Sequence, residues 1–348
     1  MLDSRKIDNS FEPGALVIKT ALAEKRSSVP FYESSEIEKT ASRLRPFIRR
    51  TPVFHDEVLS RRFNTNIYLK LELLQKTGAF KVRGAFNKML SLSPAQREKG
   101  VVAVSGGNHA QAVAYAAKIL GSKALILMPE FTPESYLAET RRLGAEVLLF
   151  PNLEEAFARV REFENRGYEN IHPFDDPEII AGQGTIGLEI LEDVPDVTDV
   201  VVSVGGGGLS TGIAAVLKNR KPDVRVWGVE TKGADSMARA LEAGMVITLP
   251  EITSVAKTLG AQRVGNLCFD LARKYLSGVT VVGDKEAVDE VFYLLDRAKV
   301  LTEPAASCTV AAASKLRGNF SPASNVVLIL CGGNMSIDEL DKLHKKFR

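Results

Sequence analysis

Four consecutive glycines, Gly205, Gly206, Gly207 and Gly208, follow the apolar run DVVVSV and precede a stretch with helical spacing. Because no side chains stand in the way, their backbone amides can converge on one ligand. The start of a helix adds partial positive charge there. The alternative is a glycine-rich turn that binds nothing, although one or two glycines would suffice for a turn. The pattern therefore predicts an anion site, and phosphate is the anion that fits it best.

The residues of this loop can be compared with the motifs that bind two common phosphate ligands. A nucleoside triphosphate loop needs GxxxxGK, and Gly207 and Gly212 have the spacing, but Ile213 stands where the lysine must be. A dinucleotide fingerprint needs a third glycine at Ser210 or Thr211, and neither position has one. Nucleoside triphosphates and NAD are therefore disfavoured.

A lysine in an apolar setting is the second candidate. Lys81 lies between Phe80 and Val82. Burial lowers the pKa of a lysine toward the range in which its amine is nucleophilic, so Lys81 is a candidate to react with an aldehyde. Taken alone, a lysine flanked by apolar residues is more often structural or exposed.

The loop Ser105, Gly106, Gly107, Asn108 and His109 follows the apolar run VVAV and begins an amphipathic stretch. It offers a hydroxyl, an amide, an imidazole and free backbone amides at a helix start, which suits a carboxylate or a phenolic oxygen. The alternatives are a helix cap at Asn108 and a packed or capping imidazole at His109.

A thiol ends the last apolar run, NVVLIL, at Cys331. By itself, such a cysteine is most often a small buried apolar residue. Together, however, a phosphate loop, a reactive amine, a polar helix start and a strand-end thiol match the phosphate, aldehyde, ring hydroxyl and ring nitrogen of pyridoxal 5′-phosphate. The combination predicts this cofactor more specifically than any one motif does.

The elements that must position these groups alternate along the chain. Short apolar runs such as VVAVS, ALILMP and EVLLFP each precede a longer amphipathic stretch. This rhythm predicts an α/β protein with open, mostly parallel sheets and helices on both faces, and ligands then bind beyond the carboxyl ends of the strands.

Three strand–helix pairs between residues 101 and 167 are enough for a small domain inserted into a larger one. We therefore expect a substrate-loop domain at 93–177 and a cofactor domain built from 36–92 and 178–348. Residues 1–35 have the composition of an N-terminal appendage.

Composition narrows the class of partner. The 348 residues include 45 Lys and Arg against 43 Asp and Glu, with both signs dispersed. Such a balance offers no broad surface for nucleic acid or anionic lipid, and no apolar run approaches the roughly 20 residues of a membrane span. Three widely spaced cysteines predict neither disulfides nor a metal cluster. We expect a cytoplasmic protein with a small-molecule partner.

The motifs resemble those of the fold-type-II pyridoxal phosphate enzymes, in the branch of threonine/serine dehydratases and serine racemases. The resemblance covers residues 37–334 and implies the tryptophan synthase β-like arrangement of two domains. The segments that carry it are RTPVF, YLKLELLQKTGAFKVRGA, SGGNHAQA, HPFDDPEIIAGQGTIGLEI, VGGGGLSTGIA, LTEPAAS and LCGGN.

The resemblance implies a role for each candidate. Lys81 would hold the cofactor covalently with Phe80 near the ring, and Cys331 would face the pyridine nitrogen. Asn108 would contact the ring 3′-oxygen. The remaining implied contacts are to the phosphate, from the backbone of Gly205, Gly206, Gly207, Gly208 and Leu209, and to the substrate carboxylate, from Ser105, Gly107, Asn108 and His109.

The implied activity is elimination of water from a 3-hydroxyamino acid, as in an L-threonine/L-serine ammonia-lyase, giving a 2-oxo acid and ammonia. Gly106 aligns with a serine that racemases of this branch use as a proton donor, which disfavours serine racemisation. Sulfhydrylase relatives carry a threonine in the asparagine loop. The loop of this chain has no threonine, which disfavours that activity. Other readings are a dehydratase for 3-hydroxyaspartate, phenylserine or a hydroxyectoine-derived compound, a pyridoxal phosphate carrier without turnover, and a nucleotide-binding protein that is no enzyme.

Some relatives bind a monovalent or divalent cation beside the phosphate site. Glu230 and the carbonyl of Ala234 match two of its ligands, whereas Ser236 replaces the usual second carboxylate. The alternative for Glu230 is a strand-end carboxylate in a salt bridge.

The resemblance also implies a homodimer. A C-terminal regulatory domain, as in biosynthetic threonine dehydratases, is not expected, and neither is control by isoleucine.

Overall fold

A computed structural model describes Val17–Ile18 and residues 34–348 of the chain. The predicted appendage at 1–35 therefore lies almost entirely outside the described residues. The described strands are β1 Val17–Ile18, β2 Val53–His55, β3 Asn66–Lys70, β4 Val101–Val104, β5 Ala124–Pro129, β6 Glu146–Phe150, β7 Glu169–Asn170, β8 Asp199–Ser203, β9 Arg225–Thr231, β10 Gly278–Val282 and β11 Asn325–Ile329.

Helices connect most of these strands. They are α1 Ser34–Leu44, α2 Glu57–Phe63, α3 Val82–Ser91, α4 Pro94–Lys99, α5 Asn108–Leu120, α6 Glu134–Arg142, α7 Leu153–Asn165, α8 Pro177–Asp193, α9 Gly208–Arg220, α10 Ser236–Ala243, α11 Asn266–Tyr275, α12 Asp284–Tyr293, α13 Pro304–Lys315 and α14 Ile337–Phe347. Within the described residues, no helix has the length and apolar character that a membrane crossing needs.

The larger sheet has seven strands in the order β1-β10-β9-β8-β11-β3-β2. Its five inner strands pair in parallel, and only the edge strands β1 and β2 are antiparallel to their neighbours. In the middle of the sheet, Leu328 lies between Leu69 and Val201. Because helices cover both faces, the central strands are continuous apolar runs rather than alternating ones.

The smaller sheet has four parallel strands in the order β6-β5-β4-β7. Its three strand–helix pairs, β4–α5, β5–α6 and β6–α7, are the ones that the sequence predicts. The predicted fold class, α/β with two open and mostly parallel sheets, is confirmed. The strands of the smaller sheet lie between β3 and β8 in chain order, while the domain limits at 92/93 and 177/178 stay a prediction.

Glycines let helices α3, α8 and α9 approach one another closely. A Cβ atom on Gly212 of α9 would lie 2.4 Å from the carbonyl oxygen of Ile180, and one on Gly182 of α8 would lie 2.6 Å from that of Arg83. Any side chain at these positions would push the helices apart. Since α3 follows Lys81 and α9 follows the glycine loop, this contact sets the distance between two parts of the predicted site.

A buried ion network fixes the start of α3. Arg83 has no solvent exposure, and its guanidinium donates to Glu72 at 2.8 Å and to Glu189 at 2.7 Å. Lys70, at the end of β3, reaches the same Glu189 carboxylate at 2.5 Å. Four charged groups thus tie a strand end, the following turn and helix α8 to the helix that begins one residue after Lys81.

Candidate active site

The amine of Lys81 lies at the start of α3, where the chain turns from an extended segment into the helix. Its Nζ donates a hydrogen bond to the backbone oxygen of Pro173 at 2.6 Å and lies 5.2 Å from the centroid of the Phe80 ring. Burial lowers the pKa of Lys81 to about 8. About a tenth of the amine is therefore uncharged at pH 7, far more than for an ordinary lysine, and the reaction with an aldehyde requires the uncharged form.

Backbone pairing places Lys81 beside the strand-end thiol. The amide of Phe80 donates to the carbonyl oxygen of Cys331 at 3.1 Å, and Ala79 forms an isolated bridge with Gly332. Lys81 and Cys331 are far apart in the chain, so only the fold brings them to the same edge of the larger sheet.

The thiol of Cys331 is buried among polar atoms of the large sheet and α13. Its Sγ lies 3.6 Å from the carbonyl oxygen of Ala305 and 3.8 Å from the hydroxyl of Ser203. Burial raises the pKa of Cys331 well above its ordinary value. The residue is therefore a neutral thiol that carries its proton throughout the physiological range.

The glycine loop follows β8 and is packed tightly on both sides. A Cβ on Gly206 would lie 2.2 Å from the ring of Phe174, and one on Gly207, whose φ is +104°, would lie 2.7 Å from the Cβ of Cys268. The packing alone requires glycine at these positions. The same loop begins α9 at Gly208, and no side chain caps that helix in the described structure.

The rest of the loop is also close to its neighbours, although less tightly packed. A Cβ on Gly205 would lie 3.1 Å from the carbonyl oxygen of Leu259, and Leu209 is buried in the first turn of α9. The first amides of any α-helix lack partners within the helix. Because this helix start has no side-chain cap, its amides fit the phosphate of the predicted cofactor.

The predicted carboxylate loop joins β4 to α5. The hydroxyl of Ser105 accepts a hydrogen bond from the amide of Gly107 at 3.1 Å, which closes the loop in front of α5. The ring of His109 turns away, since its Nε2 lies 2.7 Å from the carbonyl oxygen of Ile171. Nε2 must therefore carry the proton, and burial lowers the pKa of His109 to about 3. His109 is neutral and holds α5 to the segment after β7.

Asn108 meets a residue to which the sequence assigns no role. Its Nδ2 donates to the carboxyl group of Glu303 at 2.8 Å, while its Oδ1 accepts from Nδ2 of Asn334 at 2.8 Å. Glu303 is 4% exposed, and burial raises its pKa to about 7, against the opposing effect of hydrogen bonds from Asn108 and Thr258. The signal that could have found it is the motif LTEPAAS, in which a glutamate precedes a buried helix.

A second residue missed from the sequence shapes the segment opposite Lys81. The Nδ1 of His172 accepts hydrogen bonds from the amides of Phe174 at 3.2 Å and Asp175 at 2.8 Å. This turn directs the carbonyl of Pro173 toward Lys81. The ring of Phe174 then covers the glycine loop, so one short segment connects the amine and the phosphate site.

One of the two predicted cation ligands, Glu230, is engaged in local structure. Both oxygens of Glu230 accept backbone amides, from Met237 and Ala238, at 2.8 Å each. The carboxyl group therefore caps the start of α10 rather than forming a salt bridge. Burial raises the pKa of Glu230 to about 8. The amide of Ala234 donates to the carbonyl oxygen of Thr231. In the described part of the chain, no three His, Cys, Asp or Glu side chains form a metal-binding group.

The fold and the groups at this edge of the sheets fit an α/β enzyme that would hold an aldehyde cofactor. A family model described as "Pyridoxal-phosphate dependent enzyme" matches residues 44–332. The chain belongs to this family, as the motifs predict, and its arrangement is that of fold type II.

Curated relatives point to one branch of the family. The chain is 42% identical over 313 residues to the L-threonine ammonia-lyase of Thermotoga maritima, covering 89% of this chain and 78% of the relative. It is 38% identical over 312 residues to the L-threonine dehydratase catabolic TdcB of Escherichia coli K12, covering 88% of this chain and 94% of that protein.

Solved structures are similar over the same region. The processed form of threonine deaminase isoform 2 from Solanum lycopersicum superposes with a TM-score of 0.86 at 31% identity, covering 94% of this chain and 91% of that one. Maize serine racemase superposes with a TM-score of 0.84 at 34% identity, covering 89% of this chain and 96% of that one.

Proposed function

We propose that the protein eliminates water from a 3-hydroxyamino acid, with L-threonine and L-serine as substrates, and releases a 2-oxo acid and ammonia. The observation that carries this proposal is the Lys81 amine, which has a lowered pKa and donates to Pro173, next to the Phe174 ring that covers the glycine loop. The names of the curated relatives support the same reaction.

The residues present fit pyridoxal 5′-phosphate. Lys81 would hold it covalently, the uncapped start of α9 would take its phosphate, Asn108 would contact its 3′-oxygen, and Cys331 would face its ring nitrogen. When bound, this cofactor supplies an electron-accepting ring that stabilises negative charge on the substrate α-carbon.

The protein's own groups do the rest of the work. The amine of Lys81, with a pKa of about 8, can take the proton from the substrate α-carbon, and the resulting ammonium can give a proton to the departing β-hydroxyl group, which leaves as water. The start of α5 places backbone amides and helix-dipole charge where a carboxylate can bind. His109 contributes through the position of α5 rather than through its ring, which is directed at Ile171.

The site disfavours racemisation, the other activity expected of this branch. Gly106 has no side chain to supply a proton. A Cβ there would lie 2.7 Å from the hydroxyl of Thr132 and 3.2 Å from Cδ of Pro129. A serine at 106 would therefore require the Thr132 side chain or the loop after β5 to move. This crowding supports elimination over racemisation, although maize serine racemase has the same fold.

A substrate panel tests the proposal and separates its alternatives. Cofactor-loaded protein is incubated with L-threonine, L-serine, 3-hydroxyaspartate and phenylserine, and both 2-oxo acid and D-amino acid are measured. We expect 2-oxo acid from L-threonine and L-serine and little D-serine. Turnover of only 3-hydroxyaspartate or phenylserine would replace the substrate class, and cofactor binding without any product would favour a carrier.

The proposal also covers the cellular compartment, the oligomeric state, the metabolic role and a bound cation. All three cysteines are free and buried, which supports a reducing, cytoplasmic compartment. We propose a homodimer with a role in amino-acid catabolism, by analogy with the relatives. A cation beside the phosphate site would need to draw Glu230 away from the start of α10.

A further inference from the structure

We propose that Glu303 is a positioning residue that fixes the side-chain amide of Asn108, so that one Nδ2 hydrogen stays available for the 3′-oxygen of the cofactor. The inference rests on the proposed function and adds a residue to it. The carboxyl group of Glu303 accepts one Nδ2 hydrogen of Asn108 at 2.8 Å. An amide nitrogen has two hydrogens, which leaves the second one free.

The orientation of the Asn108 amide is defined at both ends. Asn334 donates through Nδ2 to the carbonyl oxygen of Thr77 at 2.7 Å, so the nitrogen of Asn334 is identified by an acceptor that cannot donate. The same Nδ2 donates to Oδ1 of Asn108 at 2.8 Å. A flipped Asn108 would set its oxygen against the Glu303 carboxyl group and its nitrogen against another donor.

The backbone is shaped to bring the carboxyl group to Asn108. The amide of Glu303 donates to the carbonyl oxygen of Gly332 at 3.2 Å, which anchors the start of α13 beside β11. A Cβ on Gly332 would lie 2.1 Å from Oε1 of Glu303 and 3.2 Å from Nδ2 of Asn108. Glycine at 332 is therefore a condition for the contact, and it also follows Cys331 directly.

Several groups surround this carboxyl group. Thr258 donates to it, and Glu339 lies near enough to raise its pKa. Glu303 in turn raises the pKa of the buried thiols Cys308 and Cys331. In the neutral form one oxygen remains an acceptor, so the contact with Asn108 survives either protonation state. The hydrogen bond between Glu303 and Asn108 therefore depends on the length of the Glu303 side chain (its reach) more than on its charge.

Two substitutions separate reach from charge. Glu303→Gln keeps the length and an acceptor oxygen but removes the charge, whereas Glu303→Asp keeps the charge and is one methylene too short. Each variant is prepared without cofactor, and its dissociation constant for pyridoxal 5′-phosphate and the absorption band of the bound form are measured. Glu290→Asp, at a buried carboxylate paired with Arg62, is the matched control.

The expected result is that Glu303→Gln stays within about threefold of the parent affinity with an unchanged band. Glu303→Asp should lose roughly tenfold in affinity, the size of one lost hydrogen bond, and its band should shift. The reverse order, with Asp tolerated and Gln impaired, would overturn the proposal because charge would then be the operative property. Parent-like values for both variants would also overturn it.

A double-mutant cycle keeps the test independent of folding. In an Asn108→Ala background, Glu303→Asp should change cofactor affinity by less than about twofold, because the residue it positions is gone. A full loss in that background would contradict the proposal. If the unchanged protein itself binds no pyridoxal 5′-phosphate, the proposed function fails and the role of Glu303 falls with it, whereas parent-like variants of a protein that does bind it overturn the role of Glu303 alone.

Discussion

The side-chain nitrogen of Lys81 donates a hydrogen bond to the backbone oxygen of Pro173 at 2.6 Å. The two residues come from different parts of the chain, one before α3 and the other before α8. The carbonyl is aimed by the turn that His172 stabilises. The contact places the amine next to the segment whose Phe174 ring covers the glycine loop.

The burial of Lys81 predicts the pH dependence of cofactor capture. Only the neutral amine attacks an aldehyde, and its pKa is lowered to about 8 by burial. The rate of pyridoxal phosphate capture by cofactor-free protein should therefore rise with pH and level off once pH 8 is passed. Free Nα-acetyl-lysine, measured in parallel, corrects for titration of the cofactor itself. A protein rate that keeps rising to about pH 10, as for an ordinary lysine, would contradict the account.

The tight packing of the glycine loop predicts that one added methyl group lowers both the stability of the protein and its affinity for the cofactor. Gly206→Ala places a Cβ 2.2 Å from the Phe174 ring, so the loop or the ring must move. We expect a loss of about 1–3 kcal/mol in the free energy of unfolding and weaker cofactor binding. Gly318→Ala is the control, because a Cβ there meets no atom within 4 Å. Urea titration and cofactor affinity measure both effects, and equal stability of the two variants would refute the packing argument.

The buried ion network predicts a large cost for removing its central cation. Arg83→Met leaves the carboxylates of Glu72 and Glu189 without their shared partner. We expect a loss of about 3–5 kcal/mol in the free energy of unfolding. Arg61→Ala, in an exposed pair with Glu57, should change it by less than about 0.5 kcal/mol. A loss below about 1 kcal/mol in Arg83→Met would show that the network does not fix the start of α3.

The crowding at Gly106 predicts how a racemase-like variant behaves. Gly106→Ser should lower elimination without producing D-serine, because its Cβ would meet the Thr132 hydroxyl at 2.7 Å. Adding Thr132→Ala should restore part of the elimination by making room. Chiral chromatography of the reaction mixture and a 2-oxo acid assay measure both outcomes. D-serine from the single variant would mean that the loop accommodates a serine as it stands.

Much of the fold could be predicted from local patterns. The strands of the smaller sheet and its helices follow apolar runs and amphipathic stretches that lie side by side in the sequence. Helix α8 could not be predicted in the same way, since Gly182, Gly184 and Gly187 disfavour a helix by propensity. These glycines are used for close packing against α3 and α9, which only the tertiary structure shows.

The candidate site was predictable only from several motifs taken together, because neither Lys81 nor Cys331 signals this chemistry alone. The glycine loop, Lys81 and the strand-end thiol lie together at one edge, as expected from parallel sheets. The role of Glu303 could not be predicted from spacing, because its partner Asn108 is 195 positions away. His172 was missed for a related reason, since its ring acts on the backbone of its own turn and not on a ligand.

The central claim is that Lys81 carries cofactor-dependent elimination. The most direct test records the absorption spectrum of the cofactor-loaded protein before and after L-threonine is added, while 2-oxo acid is assayed in the same cuvette. We expect a visible band that changes with L-threonine, release of 2-oxo acid, and loss of both in Lys81→Ala. A 2-oxo acid yield from Lys81→Ala equal to that of the parent protein would contradict it.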